Sequence, residues 1–148
     1  MKDPFLMRKI VFIAIAVSFS ACLQVFSDAF IYWQSDLLHQ FWRLWTAHWV
    51  HVGWIHYVLN MLAFACLPFI FPRVKVWHFV ALLLLLPLLI SLSFYYGFPE
   101  IEAYAGLSGV LHGAYAAVAS VHVLDKKERN VAALVLFLLL AKLIWENT

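Results

Sequence analysis

The run VKVWHFVALLLLLPLLISLSFY, from Val74 to Tyr95, carries a single charged side chain, that of Lys75. A stretch of that length and composition matches the ~20 apolar residues that cross a bilayer as a helix. Pro87 predicts a kink near its middle, which neighbouring helices must accommodate. The remainder of the chain is of the same kind. Of its 148 residues 66% are hydrophobic and only 12% are charged, with a mean hydropathy of +0.89. Ordinary globular domains run at about 25% charged. So few charges cannot cover a water-soluble fold, and lipid is the expected solvent.

Working outward, charges and turn residues mark four more apolar segments. The spans are expected at about 10–26, 45–71, 74–95, 103–124 and 131–144. The predicted fold class is all-α: a polytopic membrane bundle of about five transmembrane helices, forming one domain over 1–148. Lys142 interrupts the last span and is expected to snorkel toward headgroups. The stretch 31–45, rich in Trp, Tyr and Phe, predicts an interfacial helix or loop in the aromatic belt. Basic residues, an apolar run and Phe19-Ser20-Ala21-Cys22 loosely suggest a cleaved leader, but a first membrane span explains the same residues. Cys22 and Cys66 lie in apolar stretches and read as buried thiols, not as a disulfide or a metal site.

Basic residues set the expected orientation. Lys2, Arg8, Lys9, Arg73, Lys75, Lys126, Lys127 and Arg129 fall on one side, while Arg43 and Lys142 fall on the other. The amino terminus is therefore expected in the cytoplasm and the Thr148 end outside. A net charge of +2 without a basic run gives no footprint for nucleic acid.

Inside lipid the polar side chains are the informative ones, because burying them without partners is expensive. The second span carries His48, His51, His56 and Asn60. His56 and Asn60 are four apart and share a helix face. The fourth span opens as Ala105-Gly-Leu-Ser-Gly-Val-Leu-His-Gly113, with Ser108 and His112 again four apart. Gly109 and Gly113 make a small-xxx-small pair for close helix packing. At ~1.5 Å rise per residue, Ser108 and the His56/Asn60 pair fall in one layer, about 8–9 Å below the outer surface. A serine becomes a nucleophile when a base takes its proton and donors stabilise the oxyanion. Imidazole and amide N–H groups are suitable donors, and a helix start offers free backbone N–H groups. The same residues also suit plain helix packing and interhelical hydrogen bonds. His56 and His112 at one depth would further match bis-imidazole haem ligation.

The row Arg43 to Asn60 resembles the second span of rhomboid intramembrane serine proteases, with His51, His56 and Asn60 in that family's spacing. Gly106-Leu107-Ser108-Gly109 resembles its nucleophile motif at the start of the fourth span. The extended row to Gly113 and the tail Ala141-Lys-Leu-Ile-Trp-Glu146 are most similar to the rhombosortase branch. The resemblance implies that Ser108 is the nucleophile, that His56 and Asn60 stabilise the oxyanion, and that His51, Gly106, Gly109 and Gly113 shape or line the site. It implies no metal and no organic cofactor. The implied partners are the lipid bilayer and membrane-anchored proteins bearing a Gly-Gly motif, a membrane helix and a basic tail. The implied location is a bacterial inner membrane, with the site opening to the periplasmic side.

One departure stands out. Rhomboids carry their general-base histidine on a sixth span, and only Glu146-Asn147-Thr148 follow the fifth one here. Either the chain is a truncated product, or another group takes the proton. His112 is then the base candidate on Ser108's own helix, since helical side chains lean toward the amino terminus, and His56 is the alternative if the second span tilts inward. The alternative is a catalytically inactive rhomboid-like protein that binds membrane helices.

Overall fold

The computed structural model describes residues 5–146. Lys2, counted above with the inner basic residues, and the Asn147-Thr148 end lie outside the described residues. Helix α1 covers Leu6–Gln24, α2 Arg43–Thr46, α3 Trp54–Ile70, α4 Val76–Gly97, α5 Ser108–His122 and α6 Arg129–Glu146. Two-residue strands β1 (Tyr32–Trp33) and β2 (Ala103–Tyr104) pair antiparallel, Tyr32 opposite Tyr104. The fold is therefore mostly helical, with one short ribbon that periodicity gave no reason to expect.

Helix α5 is the hub, packing on α3, α4 and α6, while α1 packs on α3 and α4. Its contact with α4 uses the expected glycine pair. A side chain at Gly109 would begin 3.5 Å from Ile90, and one at Gly113 would begin 3.2 Å from Leu86. Small residues there let the two backbones approach closely. One apolar cluster joins Trp49, Tyr57, Phe64, Leu107 and Leu111, and a second joins Leu67, Phe79, Ala114 and Val118. Outward faces are apolar too. Leu84, Leu85 and Leu89 on α4 and Leu138 and Leu140 on α6 are more than half exposed. Such surfaces suit contact with lipid and not with water. Cys22 and Cys66 share this exterior: both thiols are exposed, not buried as expected.

Several span boundaries differ from expectation. The second is expected from Trp45, but α3 begins only at Trp54, after the short helix α2 and an irregular stretch through Gly53. Gly53 has φ +99°, a turn that breaks the helix, so His48 and His51 stand on a loop ahead of α3. The fourth is expected from Ala103, which in fact opens β2; α5 starts at Ser108. Helices α1 and α4, with 19 and 22 residues, are long and apolar enough to cross a bilayer. Helix α3 has 17 residues and α5 has 15, while α6 carries Arg129, Lys142 and Glu146. Seventeen residues rise about 25 Å, short of the ~30 Å hydrocarbon core. The fold is thus mostly helical, and among the described residues two of the five expected spans match helices long and apolar enough to cross a bilayer.

Pro87 lies inside α4, where its ring denies one carbonyl a partner. Nearby, the Trp45 indole N–H donates to Leu84 O at 2.8 Å. At the other end of the bundle the connecting segments meet. Lys9, 1% exposed, donates to Pro72 O at 3.0 Å, and Arg73 pairs with Asp125 at 3.2 Å and Glu128 at 3.6 Å. Lys9 and Arg73, two of the basic residues assigned to one side, thus lie at the end where these connections meet.

Candidate active site

The site is built around the turn that opens α5. Gly106 has φ +134°, a left-handed conformation that favours glycine. Its N–H donates to Ala47 O at 3.0 Å, and the next N–H, of Leu107, donates to His51 Nε2 at 3.3 Å. The hydroxyl of Tyr104, at the end of β2, stands against Gly109, 3.2 Å from where a side chain there would begin. The first-turn N–H groups of Ser108 and Val110 have no acceptor within the helix. A side chain on Gly106 would begin 3.3 Å from His56 Cε1 and 4.0 Å from His51 Cδ2. The bare face of Gly106 is thus what the two histidines stand on. Their rings meet edge to face, with centroids 5.3 Å apart.

The loop carrying His48 and His51 is irregular, so its backbone needs partners from elsewhere. Helix α1 supplies them. Gln24 accepts the His51 N–H at 2.7 Å and donates to His51 O at 2.9 Å, as a paired strand would. One turn back, Ser20 donates to Trp49 O at 2.5 Å. On the far side His48 Nε2–H donates to Ser91 Oγ at 2.9 Å, because the Ser91 proton already goes to Leu44 O. Since His51 Nε2 accepts from Leu107, its proton sits on Nδ1.

Ser108, Asn60, His112, Tyr115 and Lys142 line one cavity of ≈ 410 Å³ between α3, α5 and α6, with Leu59, Ala63, Leu111 and Leu139 as apolar walls. Ser108 Oγ is 3.4 Å from His112 Nδ1, and the same nitrogen is 2.6 Å from Ser108 O. His112 Nε2 lies 3.0 Å from Lys142 Nζ, which also pairs with Glu146 at 2.9 Å. Both ring nitrogens of His112 are therefore engaged. Asn60 donates one amide hydrogen to His56 O at 2.9 Å and keeps a second.

Ser108, Asn60 and His112 thus share a cavity, as the sequence suggests. His56 is not on its lining but beside it, over Gly106. His51 sits on the loop and binds the α5 turn, while Gly109 and Gly113 face α4. Sequence reasoning missed Gln24, Ser20 and Tyr104, whose letters carry no signal. Lys142 did carry one: an ionisable residue within an apolar run marks a functional site by default.

A family model described as a rhomboid domain matches residues 38–146. No curated protein and no solved structure matches the chain.

Proposed function

Because the chain belongs to the rhomboid family of intramembrane serine proteases, we propose that it breaks a peptide bond in or beside a substrate's membrane helix through an acyl-enzyme on Ser108. The observation that carries this reading is the meeting at Gly106 of two segments some fifty residues apart, with His56 Cε1 3.3 Å from where a side chain on that glycine would begin. That contact sets imidazole and amide donors beside a serine on a helix start.

In the proposed reaction Ser108 Oγ attacks the substrate carbonyl carbon. Negative charge then builds on the carbonyl oxygen, which the first-turn N–H groups of α5, the His56 ring and the second Asn60 N–H are disposed to receive. A single such donor is typically worth ~10²–10³ in rate. His51 acts at one remove, fixing the turn through Leu107. The leaving amine departs, and water or another nucleophile then releases the acyl group. His112 serves as base once its bond to the Ser108 carbonyl is broken. The substrates are those of a rhombosortase, proteins with Gly-Gly, a membrane helix and a basic tail. We place the amino terminus in the cytoplasm of a bacterial cell and the site toward the periplasm, following the charge asymmetry.

A fluorophosphonate probe tests the assignment on the full chain in detergent. The expected result is labelling that maps to Ser108 and is absent in Ser108→Ala, with folding of the variant unchanged. Absence of labelling in a folded wild-type chain would overturn it and favour the inactive, helix-binding alternative.

A further inference from the structure

We propose that Lys142 is a positioning residue for Ser108: it holds His112 as a hydrogen-bond donor, and so governs whether the serine has a base. The inference deepens the nucleophile assignment and rests on it. His112 Nδ1 is 2.6 Å from the Ser108 carbonyl oxygen. A carbonyl oxygen only accepts, so this nitrogen bears the ring proton. The lone pair of the neutral ring is then on Nε2, where Lys142 Nζ donates at 3.0 Å. Glu146, one turn further along α6, grips the same ammonium at 2.9 Å.

From Lys142 through His112 to Ser108 both protons therefore point toward the serine, while Lys142 donates a further one back to Glu146. Acyl transfer needs the reverse. As Oγ bonds to the substrate carbon, its proton must pass to an acceptor. His112 Nδ1, 3.4 Å from Oγ, is placed to take it only after the ring gives its Nδ1 proton to solvent and gains one on Nε2. Lys142 opposes this twice. Its ammonium occupies Nε2, and it would face the resulting imidazolium across 3.0 Å, like charge against like. A shift of Lys142 toward Glu146 frees Nε2. The serine proton then moves to Nδ1 and later to the leaving amine as the C–N bond breaks. A lysine that merely snorkels would aim at the headgroups, with only its stem against the protein. This ammonium instead turns onto a histidine inside the cavity that holds Ser108.

The test uses the full chain in detergent micelles. Fluorophosphonate labelling of Ser108 is timed for wild type, Lys142→Arg, Lys142→Met, and Lys142→Met with His112→Phe. Nitrogen-15 NMR of the histidine rings, with His112 assigned by its loss in His112→Phe, reports the tautomer. The expected wild-type ring carries its proton on Nδ1, and Lys142→Arg preserves it. Lys142→Met should bring in the Nε2–H tautomer beside the Nδ1–H form that the Ser108 carbonyl still favours, and raise labelling ~10-fold, a part of the ~10²–10⁴ that a positioned base is typically worth. Adding His112→Phe should abolish the rise. An unchanged tautomer in Lys142→Met, or labelling no faster than wild type, overturns the proposal. If no variant labels while the tautomer shifts, the nucleophile assignment falls and the hold of Lys142 on His112 stands.

Discussion

Replacing Gly106 by alanine separates the two demands that the α5 turn makes. The backbone there has φ +134°, and an L-residue forced into such a region costs of order 1–3 kcal/mol. The added Cβ would also lie 3.3 Å from His56 Cε1 and 3.8 Å from its Nε2. That is tighter than ordinary contact, so the imidazole must retreat by a few tenths of an ångström. Gly53 provides the control, because its φ is +99° but a side chain there would meet nothing within 4 Å. Gly53→Ala should therefore lose about 1–3 kcal/mol of stability from backbone strain alone. Gly106→Ala should lose a comparable amount and, in addition, shift His56. Misplacing a group by ~1 Å can cost ~10²-fold in rate, so a smaller shift should slow probe labelling of Ser108 about tenfold. Equilibrium unfolding in mild detergent and labelling kinetics measure the two effects on the same samples. The reasoning fails if Gly106→Ala labels within about twofold of wild type, or if Gly53→Ala slows labelling just as much.

Gln24→Met removes both side-chain partners of the buried His51 backbone, each worth ~1–3 kcal/mol. It should destabilise the fold by about 2–4 kcal/mol, with amide exchange at His51 and Leu107 rising before that of the helices. In the α5–α6 connection, the Lys127 N–H and then the Arg73 guanidinium hold the Asp125 carboxyl below its usual 3.8. Its stabilisation is complete above pH 3.8 and is lost as pH falls through the lower folded-state value. Asp125→Asn should therefore flatten the acid limb of melting temperature against pH.

Much of this architecture can be read from the letters, and the failures have physical causes. The order of apolar helices followed from composition, and the meeting of Ser108 with Asn60 and His112 followed from helical spacing and depth. The stretch from Trp45 to Val52 misled because its hydropathy continues unbroken into α3, and only Gly53 marks the break. The β1–β2 ribbon is two residues long, below the reach of any alternation pattern. Ser20 and Gln24 are ordinary polar letters in an apolar helix; only the third dimension sets them opposite a loop with carbonyls and amides to satisfy. Lys142 stands out in the letters, but from sequence alone headgroup snorkelling explains it equally well; only the fold sets it beside His112.

The irregular backbone around His51 bears on where the working unit begins. Non-helical chain at membrane depth is tolerated only when other protein groups complete its hydrogen bonds. Here those groups belong to residues 20 and 24, upstream of the matched segment that starts at residue 38. A piece cut to the limits of the match would keep the serine, both histidines of the turn and the cavity lining. It would nonetheless strand the amide and carbonyl of His51 in an apolar surround. During biogenesis the order is constrained likewise, since the histidine loop cannot settle until the first helix is beside it. For expression, splitting or grafting, a piece that keeps these bonds therefore extends back at least to Ser20.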